Sequence, residues 1–277
     1  MRTPNPELQL AAFGLNIVDD HAPDYLGWSV PPLQACCNDA AAFTMLAALA
    51  GLSATTYVST YAGEFSAVGN NLPPYRLVLD CTRALVRGQI AARASLVKPG
   101  DLSVFSISGH GAQDVYPLQT VESLVLSDGL LPDFELHNLL ALFPAGARVA
   151  LFLDTCHSGG MDRAAKFRYR AKFAGTMPHV DEEGRALREV KSKNPIRANV
   201  AVFAACRKDE TALDGQHNGA FTGTLMRVAS EAIQGKQEPS WLDVFHRTAQ
   251  LCEKDFRQHP VVTFYGEQSV WDRPFMR

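Results

Sequence analysis

Two short loops carry residues that could act together in nucleophilic catalysis. The stretch "SISGHGA" places His110 between two glycines after an apolar run, and "LFLDTCHSGG" places Cys156 in a glycine-containing loop after another apolar run. A thiol attacks carbonyl carbon as the thiolate, and a nearby imidazole takes up its proton and later protonates the leaving amine. The two loops therefore predict cysteine-dependent acyl transfer, with Cys156 as nucleophile and His110 as base.

The neighbouring His157 is a weaker candidate for the base, because successive side chains of an extended backbone point in opposite directions. If the two apolar runs are adjacent strands of a parallel sheet, their loops open at the same edge and bring His110 to Cys156. The backbone N–H groups of Gly111 and Cys156 are then candidate donors for an oxyanion. No third residue that would orient His110 is evident in the sequence.

Two other interpretations of this cysteine have to be weighed. A free cysteine is commonly a buried core residue, and a zinc site could be built from His110, Cys156 and His157, although that spacing matches no standard ligand set. Both loops follow apolar runs directly and both contain glycine, which favours catalysis over either alternative.

The elements that must position these loops follow from hydrophobic periodicity. Apolar runs of strand length alternate with longer helical patterns, which is typical of a parallel sheet with helices on its faces. We expect an α/β three-layer sandwich with a mostly parallel central sheet of about six strands. The predicted strands are 8–18, 55–60, 101–108, 147–154, 199–205 and 261–266, and the predicted helices are 31–52, 74–96, 132–143, 219–233 and 241–256.

Local signals refine a few boundaries. Asn38 or Asp39 is a candidate N-cap for the first helix, and Gly51 is a candidate stop. The loop after the third strand is predicted to cover 109–114, and Asp128-Gly129 is predicted to turn a short hairpin.

The segment 163–197 breaks this alternation and is rich in Arg and Lys. A solvated surface insertion is the simplest interpretation, but so long a loop inside a compact domain is uncommon and often functional. Nucleic-acid binding by this basic segment is an alternative, which would weaken steeply with added salt. The formal net charge of −3 argues against nucleic acid as the main partner.

Composition indicates the class of protein and its cellular compartment. With 47% hydrophobic and 20% charged residues the 277-residue chain has a globular composition. It shows no apolar run near the roughly 20 residues that a membrane span needs, and no secretory signal. The six cysteines contain no CxxC pair, so neither a disulfide framework nor a zinc ribbon is expected. We expect a cytoplasmic protein without a membrane partner.

The motifs resemble those of caspase-like cysteine peptidases, specifically the metacaspases and their prokaryotic relatives. "SISGHGA" and "DTCHSGG" resemble the family's histidine and nucleophile loops, and "CCNDAAAF" and "FAACRKDETALDGQHNGAFTGTLM" are similar to its first helix and its small-subunit segment. The resemblance implies one peptidase domain over 1–277, in which residues 1–162 are large-subunit-like, 163–197 form a basic linker and 198–277 are small-subunit-like. It also implies peptide-bond hydrolysis, with Cys156 as nucleophile and His110 as base.

Specificity follows from the residue two places before the nucleophile. True caspases select aspartate with arginine and carry Gln-Ala-Cys-Arg-Gly at the nucleophile, whereas this chain has Asp154. The resemblance implies that Asp154 and Asp39, with Ser108 nearby, line a pocket for Arg or Lys. Two carboxylates in a partly desolvated pocket favour a cationic side chain. We therefore expect protein or peptide substrates with Arg or Lys at the cleavage position, and self-cleavage within 163–197.

No cofactor is expected to be required, but calcium is a candidate activator. Some family members bind it through an acidic cluster that includes an Asp-Asp pair after the hairpin. Here that pair is Pro132-Asp133, with Asp128 and Asp162 as further candidate ligands, and losing one carboxylate weakens a site for a hard cation.

Two alternatives to an active metacaspase remain at this point. A catalytically silent caspase-like scaffold predicts damage to the His/Cys pair or to the pocket acids, and neither is seen in the sequence. A legumain-like or gingipain-like cysteine peptidase would share a His-Gly element but is expected to have a different cysteine loop. We expect a monomer.

Overall fold

A seven-stranded sheet forms the centre of the protein, seen here in a computed structural model. The structure describes residues 8–25, 29–60, 76–78, 80–116, 119–156, 170–178, 194–235 and 237–277. Their strands are β1 Leu8–Leu15, β2 Ser53–Ser59, β3 Arg76–Val78, β4 Leu102–Ser108, β5 Gly111–Tyr116, β6 Gln119–Val125, β7 Leu130–Pro132, β8 Arg148–Asp154, β9 Arg170–Ala171, β10 Phe173–Pro178, β11 Asn199–Ala204, β12 Leu213–Asp214 and β13 Val261–Tyr265. Their helices are α1 Cys36–Leu49, α2 Arg83–Leu96, α3 Asp133–Leu140, α4 Ala220–Gln234 and α5 Trp241–Phe256, with 3-10 turns at Pro23–Tyr25 and Gln268–Asp272.

The central sheet has the order β13-β11-β8-β4-β1-β2-β3, and its neighbouring strands are parallel except β13 with β11. Helices pack on both faces, so the expected three-layer α/β sandwich is confirmed. The sheet has seven strands rather than about six because residues 76–78, predicted to belong to a long helix, form the edge strand β3. Helix α2 begins only at Arg83, after Thr82, whose hydroxyl accepts a hydrogen bond from the backbone N–H of Leu85 (3.3 Å).

Alternate residues of the central strands pack in opposite layers. In β8, Leu151 and Leu153 lie in the cluster that contains residues of α2 and α3, whereas Ala150 and Phe152 lie in the cluster that contains residues of α1, α4 and α5. Each buried apolar side chain stabilises the fold by about 25 cal/mol per Å² removed from water. Burial on both faces explains why the run has no polar alternation, and it holds firmly the strand that leads to Cys156.

The register of the sheet brings the two predicted loops together. Strands β4 and β8 are hydrogen-bonded neighbours, and Ser108 at the end of one lies opposite Asp154 at the end of the other. His110 and Cys156 each follow two residues later, at the same edge of the sheet.

A second, four-stranded sheet of order β10-β5-β6-β7 begins at this edge. The prediction of a loop over 109–114 was wrong for its second half, because Gly111 starts strand β5. The predicted hairpin is present, since Val125 of β6 pairs with Leu130 of β7 across the Asp128-Gly129 turn.

The start of α1 also differs from the prediction. The helix begins at Cys36 with Ala35 at the N-cap, so neither Asn38 nor Asp39 caps it, while Gly51 follows its end as expected. Asp39 lies in the first turn and is completely buried, and its carboxylate binds groups outside the helix.

The basic linker lies only partly within the described residues. Residues 170–178 form β9 and β10, whereas 163–169 and 179–193 lie outside the described ranges of the chain. The interpretation of 163–197 as a solvated insertion does not hold for Lys172, whose side chain has no exposed surface. In the described ranges, no helix has both the length and the apolarity that crossing a bilayer requires.

Candidate active site

The thiol of Cys156 is buried against the loop that precedes β12. Its Sγ accepts a hydrogen bond from the backbone N–H of Ala212 (3.0 Å) and donates one to the carbonyl of the same residue (3.4 Å). Only 1% of Cys156 is exposed, and burial raises the pKa of its thiol well above the usual value. The sulfur is therefore protonated in this state and needs a base before it can attack.

His110 has its tautomer set by a backbone carbonyl. Its Nε2 lies 2.7 Å from the carbonyl oxygen of Pro31, and because a carbonyl only accepts, Nε2 carries the proton. The buried Nδ1 has no hydrogen-bond partner among the residues that the structure describes. Burial lowers the pKa of His110, which favours the neutral imidazole with a free lone pair. The Pro31 carbonyl thus occupies the orienting position for which the sequence offered no candidate.

Gly111 brings the loops that carry His110 and Cys156 into backbone contact. A Cβ at this position would lie 1.6 Å from the carbonyl oxygen of Cys156, so only glycine fits. Its N–H donates a hydrogen bond to the carbonyl oxygen of Lys172 (2.9 Å). A predicted oxyanion donor is therefore already bound to a peptide carbonyl of the chain itself.

An acidic pocket lies beside these loops, and Asp39 forms one of its walls. Its Oδ1 accepts hydrogen bonds from Asn218 Nδ2 (2.9 Å) and the backbone N–H of Gly219 (3.0 Å), and its Oδ2 accepts one from Ser108 Oγ (2.7 Å). Burial, opposed by the charge of Lys172, raises the pKa of Asp39 from 3.8 to about 6. The carboxylate is thus held rigidly and is charged at neutral pH.

Asp154 forms the opposite wall of this pocket. Its Oδ2 accepts hydrogen bonds from the backbone N–H (3.1 Å) and the hydroxyl (2.7 Å) of Thr222, at the start of α4. Only 2% of Asp154 is exposed. The structure thus brings Asp39, Ser108 and Asp154 together around one buried space.

The ammonium group of Lys172 fills that space. Its Nζ lies 3.0 Å from Asp154 Oδ1, 3.3 Å from Asp39 Oδ2, 2.9 Å from Ser108 Oγ and 3.2 Å from the Asp154 carbonyl. Burial opposes the charge, but Asp154 and the other nearby anionic groups outweigh it, so the pKa of Lys172 is raised. Removing one partner of such a buried cluster costs about 3–5 kcal/mol.

The backbone around Lys172 lies in the site as an extended peptide. Strand β9 pairs antiparallel with β12, with Ala171 opposite Leu213, and the N–H of Lys172 donates to the carbonyl of Ala212 (3.1 Å). The carbonyl of Lys172 is the one bound by Gly111. The backbone of Lys172 is therefore held between Gly111 and Ala212, the residue whose N–H also donates to the sulfur of Cys156.

Gly219 is required by the pocket, which gives a testable expectation. A Cβ there would lie 2.5 Å from Asp154 Oδ2 and 2.8 Å from Lys172 Nζ. Gly219→Ala should lower the free energy of unfolding by about 1–3 kcal/mol, since it overfills a closed site. Gly88→Ala is the matched control, because nothing lies within 4 Å of its Cβ position in α2, and a gain of about 0.5–1 kcal/mol is expected. Denaturant titration of both variants measures this, and equal stability of the two would contradict the expectation.

The residues predicted as metal ligands do not form a cluster in the described part of the chain. Asp128 accepts a hydrogen bond from the backbone N–H of Arg83 (2.6 Å), and Asp133 starts α3, while Asp162 and His157 lie outside the described residues. Among the residues that the structure describes, no three His, Cys, Asp or Glu side chains are grouped as metal ligands. Calcium activation stays a prediction.

Several groups in the site were not found from the sequence. They are the Pro31 carbonyl, the Ala212 backbone, Asn218, Thr222 and the side chain of Lys172. Asn218 and Thr222 lie in "HNGAFTG", whose pattern predicted a helix start and contributed to the family resemblance but did not indicate that it forms part of the site. The carbonyl of Pro31 could not have been found, because every residue has a backbone carbonyl.

Comparisons with known proteins show the family to which the chain is similar. The family model described as caspase domain matches residues 23–266. The protein named inactive metacaspase-4 of Trypanosoma brucei brucei is 27% identical over 252 residues, covering 82% of this chain and 66% of that protein. Metacaspase-5 of Trypanosoma cruzi is 26% identical over 181 residues, covering 59% and 40%. Metacaspase-1 of Schizosaccharomyces pombe is 24% identical over 241 residues, covering 68% and 53%. The chain thus spans from 40% to 66% of the length of these relatives.

Solved structures show the same architecture. Protein GSU0716 from Geobacter sulfurreducens superposes with a TM-score of 0.71 at 28% identity, covering 96% of both chains. Caspase-1 from Spodoptera frugiperda superposes with a TM-score of 0.58 at 11% identity, covering 95% of this chain and 91% of that one, and this likeness concerns the fold alone.

Proposed function

The chain belongs to the caspase domain family, and on that premise we propose that it is a cysteine endopeptidase that cleaves after Lys or Arg. The proposal includes self-cleavage between Lys172 and Phe173. The observation that carries it is the buried ammonium of Lys172 between Asp39 and Asp154, with the carbonyl of the same residue on the N–H of Gly111. Side chain and carbonyl are thus both held as those of a substrate would be.

The proposed reaction uses the loops that carry His110 and Cys156. Nδ1 of His110 takes the proton of the Cys156 thiol, and the sulfur attacks the carbonyl carbon of Lys172. The negative charge that develops on the carbonyl oxygen is stabilised by the N–H of Gly111, and the N–H of Cys156 is the proposed second donor. His110 then gives its proton to the leaving amine of Phe173, and water hydrolyses the thioester to free the Lys172 carboxylate and the thiol.

The hydrogen bonds of His110 support its role as base. Because Nε2 donates to the Pro31 carbonyl, the ring is held in the tautomer that keeps Nδ1 able to accept a proton. The lowered pKa of His110 and the raised pKa of Cys156 mean that the resting pair is neutral imidazole and thiol. The proton therefore moves only when the sulfur attacks.

Peptide hydrolysis in trans tests the specificity. Wild-type protein is incubated with fluorogenic peptides that differ only in Arg, Lys or Asp at the cleavage position, with and without calcium. We expect release from the Arg and Lys peptides, and Asp154→Asn should lower kcat/KM on them by about 100-fold, since it leaves a substrate cation short of a buried partner. Asp255→Asn removes an exposed carboxylate on α5 and is the matched control.

Each contrary outcome of this panel has a definite meaning. Activity on the Asp peptide alone would overturn the assignment of the acidic pocket. No hydrolysis of any peptide, with or without calcium, would favour a catalytically silent caspase-like scaffold, and one relative of this chain is itself named inactive.

Acidification is expected to slow self-cleavage. Above about pH 6 the Asp39 carboxylate is charged and attracts the Lys172 ammonium, whereas below that pH it is protonated and the attraction is lost. The rate should therefore fall as the pH falls through 6. Gel analysis of the fragment 173–277 across this range measures the rate, and Asp39→Asn should be slower than the wild type at neutral pH and should lose the part of the fall that protonation of Asp39 causes. An unchanged rate between about pH 5 and pH 7 would contradict the role of Asp39.

A further inference from the structure

The strand that follows Lys172 continues beyond the acidic pocket, along another edge of the site. Strand β10 starts at Phe173 and runs parallel to β5, which starts at Gly111. It is the outer strand of the four-stranded sheet, and the opposite edge of β5 is occupied by β6. Thus one extended segment passes β12 before the proposed scissile bond and β5 after it.

Backbone directions show which groups of β5 hold this segment. The carbonyl of His110 accepts a hydrogen bond from Val125 on the β6 side (3.0 Å), whereas the N–H of Gly111 donates to Lys172 on the other side. Because the backbone groups of successive residues alternate in direction, Gln113 and Val115 face the same side as Gly111. This edge of β5 therefore offers a row of main-chain donors and acceptors that begins at the oxyanion donor.

The register identifies the partners along the row. After an irregularity at Phe173, Gly175 lies opposite Ala112, Thr176 opposite Gln113 and Met177 opposite Asp114. In a parallel pair, a residue bonds to the residues before and after its partner. Gln113 thus faces the carbonyl of Gly175 and the N–H of Met177, while the backbone of Thr176 points away.

We infer that this edge of β5 is the binding site for the residues that follow the cleaved bond in protein substrates, which add to it as a parallel strand in place of β10. The inference rests on the proposed function, since it takes Lys172–Phe173 as the scissile bond. Main-chain pairing depends little on side chains, so the site accepts extended segments of varied sequence. The substrates are then unfolded or extended stretches of protein. A short peptide with a reporter directly after Lys cannot pair with this edge of β5, so it binds more weakly than a longer substrate.

Peptides of graded length test the inference with the self-processed enzyme. A common sequence ending in Lys is followed by a coumarin reporter alone, or by one, three or six residues with a quenched pair at the ends. We expect kcat/KM to rise about tenfold or more between one and six following residues, as several main-chain hydrogen bonds are added. An equal kcat/KM for all lengths would overturn the inference. It would mean either that β10 stays on this edge of β5 or that the edge does not bind substrate.

Single N-methyl groups supply the matched control. Methylating the amide of the third or fifth residue after Lys, the places of Gly175 and Met177, should remove most of the gain, whereas methylating the fourth should have little effect. Equal losses at all three positions would overturn the pairing. Hydrolysis of the coumarin peptide separates the two proposals: if it is cleaved without length dependence, only the inference fails, and if no peptide is cleaved, the proposed function fails and takes the inference with it.

Discussion

Replacing Cys156 by alanine is expected to leave the 30.2 kDa chain whole under conditions in which the wild type separates into fragments 1–172 and 173–277. The sulfur is the only group proposed to attack the Lys172 carbonyl, and His110 acts only through it. Removing a nucleophile of this kind lowers the rate by at least about 1000-fold. Mass spectrometry of both proteins after incubation measures the effect and locates the cut.

The control for this substitution is another buried thiol. Cys252 is fully buried in α5 and donates a hydrogen bond to the carbonyl of Ala220 rather than to any group of the catalytic loops (3.8 Å). Cys252→Ala should lower stability through a small cavity and leave the fragments unchanged. Fragments of equal size and amount from Cys156→Ala would show that another protease makes the cut, and self-cleavage would be abandoned.

Replacing Lys172 by glutamine is expected to stop cleavage at this position and to destabilise the uncut chain. The neutral amide offers no positive charge to Asp39 and Asp154, which stay buried at 0% and 2% exposure. Loss of the cation from such a cluster costs about 3–5 kcal/mol, and in a cleavage step the same loss slows the reaction by about 100-fold or more. Fragment yield is measured with Lys172→Gln in the otherwise wild-type protein. The melting temperature is measured with Lys172→Gln in the Cys156→Ala background, against Cys156→Ala alone.

Two further variants make this result interpretable. Lys172→Arg keeps a cation for the two carboxylates and should retain the cut, although its longer side chain overfills the pocket and slows it. Lys254→Gln changes an exposed lysine at the end of α5 and should behave as the wild type. Cleavage of Lys172→Gln at the wild-type position and rate would mean that the pocket does not select the cation.

The side chain of Lys172 both stabilises the uncut chain and occupies the pocket that a substrate cation would need. While this side chain lies between Asp39 and Asp154, no other cation can enter that space. Under the proposed function, the uncut chain would therefore be closed to substrates in trans. The proposed cut leaves residues up to 172 free to withdraw from the pocket. Activity on added peptides should therefore appear only as the fragments do.

Much of the architecture was determined by the sequence on its own. Apolar runs such as 147–154 have to be buried on both faces, and that requirement alone specifies a sheet between two helical layers. The two glycine-containing loops after β4 and β8 share one edge because adjacent parallel strands end together, so His110 and Cys156 could be paired from their place after these strands. The match of the caspase domain confirms the family that these motifs predicted.

The predicted bounds of helices and strands were wrong where tertiary contacts outweighed local conformational preference. Residues 76–78 join the edge of the sheet although their neighbours carry a helical pattern, and 111–116 form a strand because two partner strands supply hydrogen bonds. Asp39 has the residue type of an N-cap but binds Ser108, Asn218 and Gly219 instead, since the pocket offers a buried carboxylate more donors than the helix end does.

Other features depended on the tertiary structure entirely. The basic residues of the linker could not be told apart as candidates in the sequence, and only the tertiary structure places the Lys172 ammonium against Asp39, across 133 residues of sequence. The Pro31 carbonyl orients His110 across 79 residues. Every residue has a carbonyl, and a lysine carries the same charge wherever it lies, so neither group can be distinguished in the sequence. Side-chain periodicity is a local property, so it predicts helices and strands from the sequence. Which of many lysines or carbonyls reaches the site depends on distances in the folded chain, which the sequence does not show.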